Sequence, residues 1–421
     1  MNDFQLDFTE TNTDTWKAQI LKELKDDAAK IEFTDKIEEI SLDITKTSEK
    51  DFNSEVINDS NNWNASAFIE VNDEKSANKL ALKNLNQGYN ELIFNLKSTE
   101  IDWTILLNDI EVEYIHTRLQ FTNTAQLSSF LSSNYVAKIQ YFSFEIDPLS
   151  CVFETLENEI KSLTSNRVVS INGFEIQQVG ATTWQEIGLI LSTGHELLNR
   201  GFLPNQLSLS IGIGSNYFLE IAKIRALRYL WEQITVAYGS KNSIEIVAHI
   251  GWSNKSLKDQ HTNLLRQTTE LMSAAAGGSD SIVVHPYDQN STVGSSDFAY
   301  RMAANISNLL KEESYFDKVH DPLKGSYIID NLTELISSKA WAYFLELDTF
   351  KSLNATDKIL KIKSDITLKR TQRLNLFNQK QIKLIGINLF NTANPNPQEW
   401  KKEIKYLEIP YLIYEEIEDI K

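Results

Sequence analysis

Eight short runs rich in β-branched and aromatic residues recur along the chain, each followed by apolar residues at helical spacing. The runs are Ala65–Val71, Glu91–Leu96, Tyr114–Phe121, Ala137–Phe144, Arg167–Phe174, Leu207–Ile213, Ile244–Ile250 and Ser281–His285. Strands that alternate with helices form parallel sheets, because each crossover helix returns the chain to the same end. Eight such units at roughly even spacing predict an α/β fold, a (β/α)8 TIM barrel. A doubly wound open sheet is the competing arrangement. The count of eight and the want of a phosphate loop favour the barrel. Gly212-Ile-Gly214 opens like a dinucleotide fingerprint, but Tyr217 stands where the third glycine belongs. Neither a Walker A loop nor a serine-centred G-x-S-x-G occurs.

Local signals place the helices. Ala77, Ala81 and Leu85 precede Gly88 as a stop, and Thr183 with Glu186 fits a capping box for a helix ending near Gly201. Ile221, Ile224, Leu227 and Trp231 share one face. Leu264, Leu265, Thr268, Met272 and Ala275 share another, and Asp297 caps a helix with inner face Phe298, Met302, Ile306 and Leu309. Outside the eight units, Trp16, Ile20 and Leu24 form a narrow stripe on a helix capped by Asp14 or Thr15, which needs cover from its own domain or from a partner chain. A helix at Leu332–Leu347 and a strand at Ile382–Leu389 follow the barrel. The expected division is residues 1–62 as an N-terminal helical arm, 63–330 as the barrel and 331–421 as a C-terminal helical extension.

Composition excludes several functions. Lys plus Arg number 41 against 58 Asp plus Glu, a formal charge of -17, which repels nucleic-acid phosphates and anionic membranes. No stretch is apolar over the roughly 18 residues a membrane span needs. The opening residues carry acids where a signal peptide carries bases, so the chain reads as cytoplasmic. A single cysteine, Cys151, rules out an internal disulfide and is read as a small buried apolar residue. Six histidines with no pair at i, i+4 argue against a metal site.

Barrel active sites sit at the carboxyl ends of the strands. Those ends carry Glu175, His249, His285 and Asp288, either an acid–base set or rim residues with satisfied side chains.

Several segments resemble the methylmalonyl-CoA mutase family: Ser170-Ile-Asn-Gly-Phe-Glu-Ile-Gln-Gln-Val-Gly-Ala181, Phe218-Leu-Glu-Ile-Ala-Lys-Ile-Arg-Ala226, Met272-Ser-Ala-Ala-Ala-Gly-Gly278, Asp297-Phe-Ala-Tyr-Arg301 and Val319-His-Asp-Pro-Leu-Lys-Gly-Ser-Tyr327. The N-terminal Trp16…Ile20…Leu24 resembles the opening of that family's small subunits. The resemblance implies a (β/α)8 barrel and radical isomerisation of acyl-CoA skeletons with adenosylcobalamin. It also marks departures. Phe174 stands in place of the family's tyrosine, and Glu175 in place of the histidine held to bond the substrate carbonyl. An ionised glutamate offers that oxygen no donor. Asp259-Gln-His261 has the first part of a cobalamin motif, but Leu264 replaces its glycine, and the stretch after Leu347 is too short for the cobalamin domain. Bulky Phe68, Phe94, Ile115, Ile139, Tyr141, Val169 and Ile246 populate the strands, and alternation is expected to place bulky groups inside in several of them, in a bore that catalytic members keep open for CoA.

The resemblance therefore implies the small, non-catalytic subunit of a heterodimeric mutase. No catalytic residue and no bound cofactor are expected in this chain. Adenosylcobalamin is expected in the large catalytic partner, and Trp16, Ile20 and Leu24 are the interface candidates. Two alternatives stand beside it: an active barrel served by a separate cobalamin-binding chain, and a module that binds acyl-CoA weakly without chemistry. His195, Arg301 and Asp321 match family positions and read as structural, Arg301 with Glu312 or Glu313 as its partner.

Overall fold

A computed structural model describes residues 12–24, 32–43, 61–163, 167–241, 243–390, 399–401 and 404–418. Helix α1 (Thr13–Leu24) and the hairpin β1 (Glu32–Asp35)–β2 (Ile40–Asp43) come first. Eight parallel strands then alternate with helices: β3 (Asn64–Val71), α2 (Glu74–Leu85), β4 (Glu91–Leu96), α3 (Trp103–Leu106), β5 (His116–Gln120), α4 (Thr124–Leu131), β6 (Phe142–Glu145), α5 (Cys151–Lys161), β7 (Val169–Asn172), α6 (Gly173–Gln178), α7 (Thr183–Asn199), β8 (Leu207–Ile213), α8 (Tyr217–Ala237), β9 (Glu245–Ile250), α9 (Thr262–Ala276), β10 (Ser281–Val283) and α10 (Asp297–Glu312). The strand order is β6-β5-β4-β3-β10-β9-β8-β7. At the seam between β6 and β7, Phe144 N donates to Arg167 O at 2.7 Å. The predicted (β/α)8 barrel is the observed fold. The run at Ala137 begins late: Asn134–Tyr141 winds into a 3-10 turn capped by Ser133, and the strand starts at Phe142.

Which face of each strand points inward is a tertiary outcome. Arg118 on β5 reaches Glu245 on β9 at 2.8 Å, straight across the barrel, which fixes the parity of both strands. Cross-strand register carries that parity around the sheet. The inward row thus includes Ser66, Ile93, Ser143, Ser170, Ser210 and Val247. Phe94, Val169 and Ile246 lie in the core between sheet and helices, and Ile115 and Ile139 pack against it. Tyr141 is 38% exposed. Of these seven bulky strand residues, Phe68 alone faces the bore. Period-two alternation separates two faces without saying which is inside. The bore is filled nonetheless, by other residues. Ile93, Val247 and Val283 are fully buried and pack with Phe68. Beside them Arg118 binds Glu91 at 2.6 Å and Glu245 at 2.8 Å, with Glu145 at 3.8 Å.

Side-chain caps start most of the helices, with small shifts of register from the expected positions. Thr182 and Gln185 form the capping box of α7, one residue before the expected pair. That frees Thr183 to bind Glu38 and Glu186 to bind the buried Lys223 at 3.0 Å. Asn12 caps α1 through Thr15 N, and Ser296 caps α10. Helix α10 buries Ala299, Ala303, Ser307 and Leu310, leaving Phe298 and Leu309 43% and 46% exposed. Leu265 on α9 is likewise exposed. Small residues let a helix lie close to the sheet, and here they win over the larger apolar row.

Beyond the barrel come α11 (Tyr327–Asp348) and α12 (Thr356–Asn378). Gly188 on α7 lets α11 approach: a Cβ there would meet Ala340 O at 2.9 Å. Ile382–Leu389 makes no strand, only a bridge between Ile385 and Leu389 around Gly386 at φ 75°. The last described segment carries the hairpin β11 (Lys405–Tyr406)–β12 (Ile409–Pro410) and α13 (Tyr414–Glu418). It crosses the carboxyl ends of the strands. Lys401 N donates to Asn290 O, Leu412 N to Gln178 O and Tyr414 N to Ser253 O, at 2.7, 2.8 and 3.0 Å. Glu415 accepts from Leu257 N at 2.7 Å and from Trp400 Nε1 at 2.9 Å. The side chain of Cys151 lies outside the described residues.

Helix α1 has no buried residue, and Trp16 is 51% exposed. Lys17 pairs with Asp43 beside it. The hairpin is seated differently, with Ile40 and Leu42 in the main core. No helix among the described residues is long and apolar enough to cross a membrane.

Candidate functional site

The carboxyl ends of the strands surround a chamber of about 600 Å³, roofed by the tail residues Ile404, Tyr406 and Tyr411. Asn172 ends β7 and caps α6, its side chain accepting from Glu175 N at 3.2 Å. That cap turns the chain sharply and sets Phe174 and Glu175 side by side at the rim.

Phe174 stacks on His249, ring centroids 4.6 Å apart, and lies 5.8 Å from His285. Trp252 covers His285 at 4.4 Å, and Phe68 meets it edge-on at 5.2 Å. His249 Nδ1 and His285 Nε2 are 3.2 Å apart, and His285 Nδ1 is 3.1 Å from Gln289 Oε1. Burial holds His285 down to about 3 and His249 well below the ordinary range, with His285 adding to the effect on His249. The pair is an uncharged, stacked unit near neutral pH.

Glu175 receives a hydrogen bond from Tyr411 Oη. Burial pushes its carboxyl up to about 7, against the favourable bond from Tyr411. Tyr406 Oη donates to Asp147 at 2.8 Å, and burial raises Asp147 to about 6. Two carboxyls from separate strand ends thus hold two tyrosines of the tail. Burial also raises Glu145, at the chamber's side, while Gln120 donates to it at 2.8 Å.

Of the four residues expected as an acid–base set, the structure brings His249 and His285 together and leaves Asp288 out. Asp288 accepts from Ser296 N at 3.0 Å, holding the turn before α10. Glu175 is engaged with the tail. Among the described residues no cluster of three or more His, Cys, Asp or Glu is arranged to hold a metal. His261 and Asp259 sit at the start of α9, where Asp259 accepts from Thr262 at 2.6 Å. His195 pairs with Asp348 at 2.9 Å, and Asp321 with Arg225 at 2.7 Å. Arg301 lies 5.6 Å from the Phe298 ring, not against Glu312 or Glu313. Sequence reasoning missed Asp147, Arg118, Asn290 and the two tail tyrosines. Asp147 follows the carboxyl end of a strand, where barrel sites are built, and that placement was a usable signal.

A corrin ring lying across this mouth would meet the tail. The residues present do not fit that group here, and no step through it is assigned to this chain.

The geometry defines a (β/α)8 barrel with a roofed polar mouth and a filled bore. The family model for methylmalonyl-CoA mutase matches residues 117–419. The chain belongs to the methylmalonyl-CoA mutase family. It is 37% identical over 371 residues to the methylmalonyl-CoA mutase small subunit of Porphyromonas gingivalis, a match covering 78% of this chain and 59% of the relative. The small subunit of Propionibacterium freudenreichii subsp. shermanii is 27% identical over 357 residues, 76% of this chain and 55% of the relative. The large subunit of Porphyromonas gingivalis is 29% identical over 286 residues, 64% of this chain and 39% of the relative. The chain thus spans under two thirds of the length of these relatives.

Proposed function

We propose that this chain is the non-catalytic small subunit of a heterodimeric, adenosylcobalamin-dependent methylmalonyl-CoA mutase. The partner chain carries the cobalamin and the interconversion of methylmalonyl-CoA and succinyl-CoA, in the cytoplasm. One observation supports this above the rest: Glu175, at the position of the family's substrate-binding histidine, is bound by Tyr411 of the chain's own tail. Beside it Phe174 is stacked on a neutral histidine pair. Phe174 has no donor for an acyl-CoA carbonyl, and the carboxyl of Glu175 is engaged with the tail in place of a substrate. The filled bore beneath leaves no path for a pantetheine arm.

The apolar stripe of α1 is the docking element in this reading. Its residues are unburied, and the small-subunit likeness names the kind of partner. Co-expression with a large mutase subunit and size-exclusion chromatography tests the assignment. A 1:1 complex whose turnover survives Phe174→Ala and Glu175→Gln in this chain is expected. A chain that stays apart from the large subunit, or a complex that loses turnover with Glu175→Gln, overturns it. The second outcome would restore the active-barrel reading.

A further inference from the structure

The roofed mouth has polar equipment that the scaffold role does not use. The chamber of about 600 Å³ falls in the range of small-molecule sites. A scaffold with no ligand gains nothing from keeping such a space polar. Asn290 Nδ2 and Glu145 Oε1 are buried there without a hydrogen-bond partner among the described residues. Glu145 Oε1 stands 3.8 Å from Arg118 Nη1, an ion-pair distance beyond hydrogen bonding. Buried polar atoms left unpaired cost roughly 1–3 kcal/mol each, so they mark a place where a partner belongs. Ser170 and Ser210, 5% and 6% exposed, line the same chamber. Phe68, Phe174 and Trp252 add apolar ring surface.

The lining selects the chemistry of the occupant. Glu145 needs a donor, Asn290 needs an acceptor, and serine hydroxyls serve as both. Carboxyls of Glu145, Asp147 and Glu175 and the amines of Lys97 and Lys401 all line the chamber, so the lining presents both signs and favours no single charge on the occupant. A hydroxyl group donates and accepts, carries no charge, and is indifferent to the protonation state of the nearby carboxyls. Aromatic surface suits the C–H faces of such a molecule. A CoA thioester does not fit, because Ile93, Val247 and Val283 close the bore below. We propose that the mouth binds a small neutral polyhydroxyl compound, of the sugar or cyclitol class, spanning from Glu145 at the end of β6 across to Asn290 beyond β10, with the serines of β7 and β8 on the arc between them.

The proposal does not depend on the partner: a chain that failed to bind a large subunit would still bind the polyol. The test uses the purified full chain, with isothermal titration and saturation-transfer NMR. The probes are D-glucose, myo-inositol and glycerol, with succinate and putrescine as charged controls. At least one polyol is expected to bind with a Kd under about 10 mM and more tightly than either control. Ser210→Ala and Asn290→Leu are each expected to weaken it about tenfold with no loss of Tm. If Asn290→Leu fails to fold, Ser210→Ala decides alone. Absence of binding by all three polyols, tighter binding of a control, or undiminished affinity in Ser210→Ala overturns the proposal.

Discussion

Glu175→Gln is the most informative single substitution, because the structure gives opposite expectations for a catalytic carboxylate and for a latch. In the folded chain burial keeps Glu175 protonated up to about 7, whereas an ordinary glutamate ionises near 4.5. Below 4.5 the group is neutral folded or unfolded and costs nothing. As pH rises from 4.5 to about 7 the unfolded chain releases the proton and the folded chain retains it, so stability falls. Above 7 the full penalty applies. At about 1.4 kcal/mol per pH unit, the interval corresponds to about 3 kcal/mol, and access to the chamber's solvent reduces it to about 2 kcal/mol. Glutamine copies the protonated form in shape and still accepts from Tyr411. Urea denaturation at pH 5 and pH 8 reads the difference. The variant should exceed the parent by less than about 1 kcal/mol at pH 5 and by about 2 kcal/mol at pH 8. Hydrogen exchange of Leu412 and Tyr414 should slow at pH 8 in step. A variant less stable than the parent at pH 8, or one with unchanged pH dependence, refutes the latch.

Three further outcomes follow from the same geometry. Arg118→Met removes the cation that Glu91 and Glu245 share, leaving Glu91 to His116 and Glu245 to Arg167, and should cost about 3–5 kcal/mol by chemical denaturation, and a loss under about 1 kcal/mol would mean the cluster is not coupled. His249 and His285 should show neutral imidazole shifts by NMR at pH 5. With folded pKa values below the unfolded one, the stability their burial allows is lost as pH falls from about 6.5 toward 3, and a protonated ring at pH 5 contradicts the stack. Replacing Trp16, Ile20 and Leu24 together by serine should leave Tm unchanged, since α1 buries none of them, and should release the large subunit in pull-down. A drop in Tm would mean that the stripe serves this chain's own fold.

Much of the barrel was legible locally. Strand runs and helix caps depend on residues within a turn or two of each other, so their approximate positions survive without tertiary information. Among the helix caps and faces the errors were offsets of one residue or one face, Thr182 for Thr183, Ser296 for Asp297, Ala303 for Phe298, while the strand expected at Ile382–Leu389 is absent and the run at Ala137 becomes a strand only at Phe142. The sites of departure from the family, Phe174 and Glu175, were equally readable, because each is a residue in a motif.

What the chain's order of residues determined by itself is therefore the repeating βα unit, its family, and the two altered positions at the mouth. Only the tertiary structure decided which strand face lines the bore, that the tail crosses the mouth, and that Glu175 meets Tyr411. The physical reason is range. A twofold alternation is symmetric until the sheet closes, and Glu175 and Tyr411 lie 236 residues apart, joined by a hydrogen bond that no local pattern encodes.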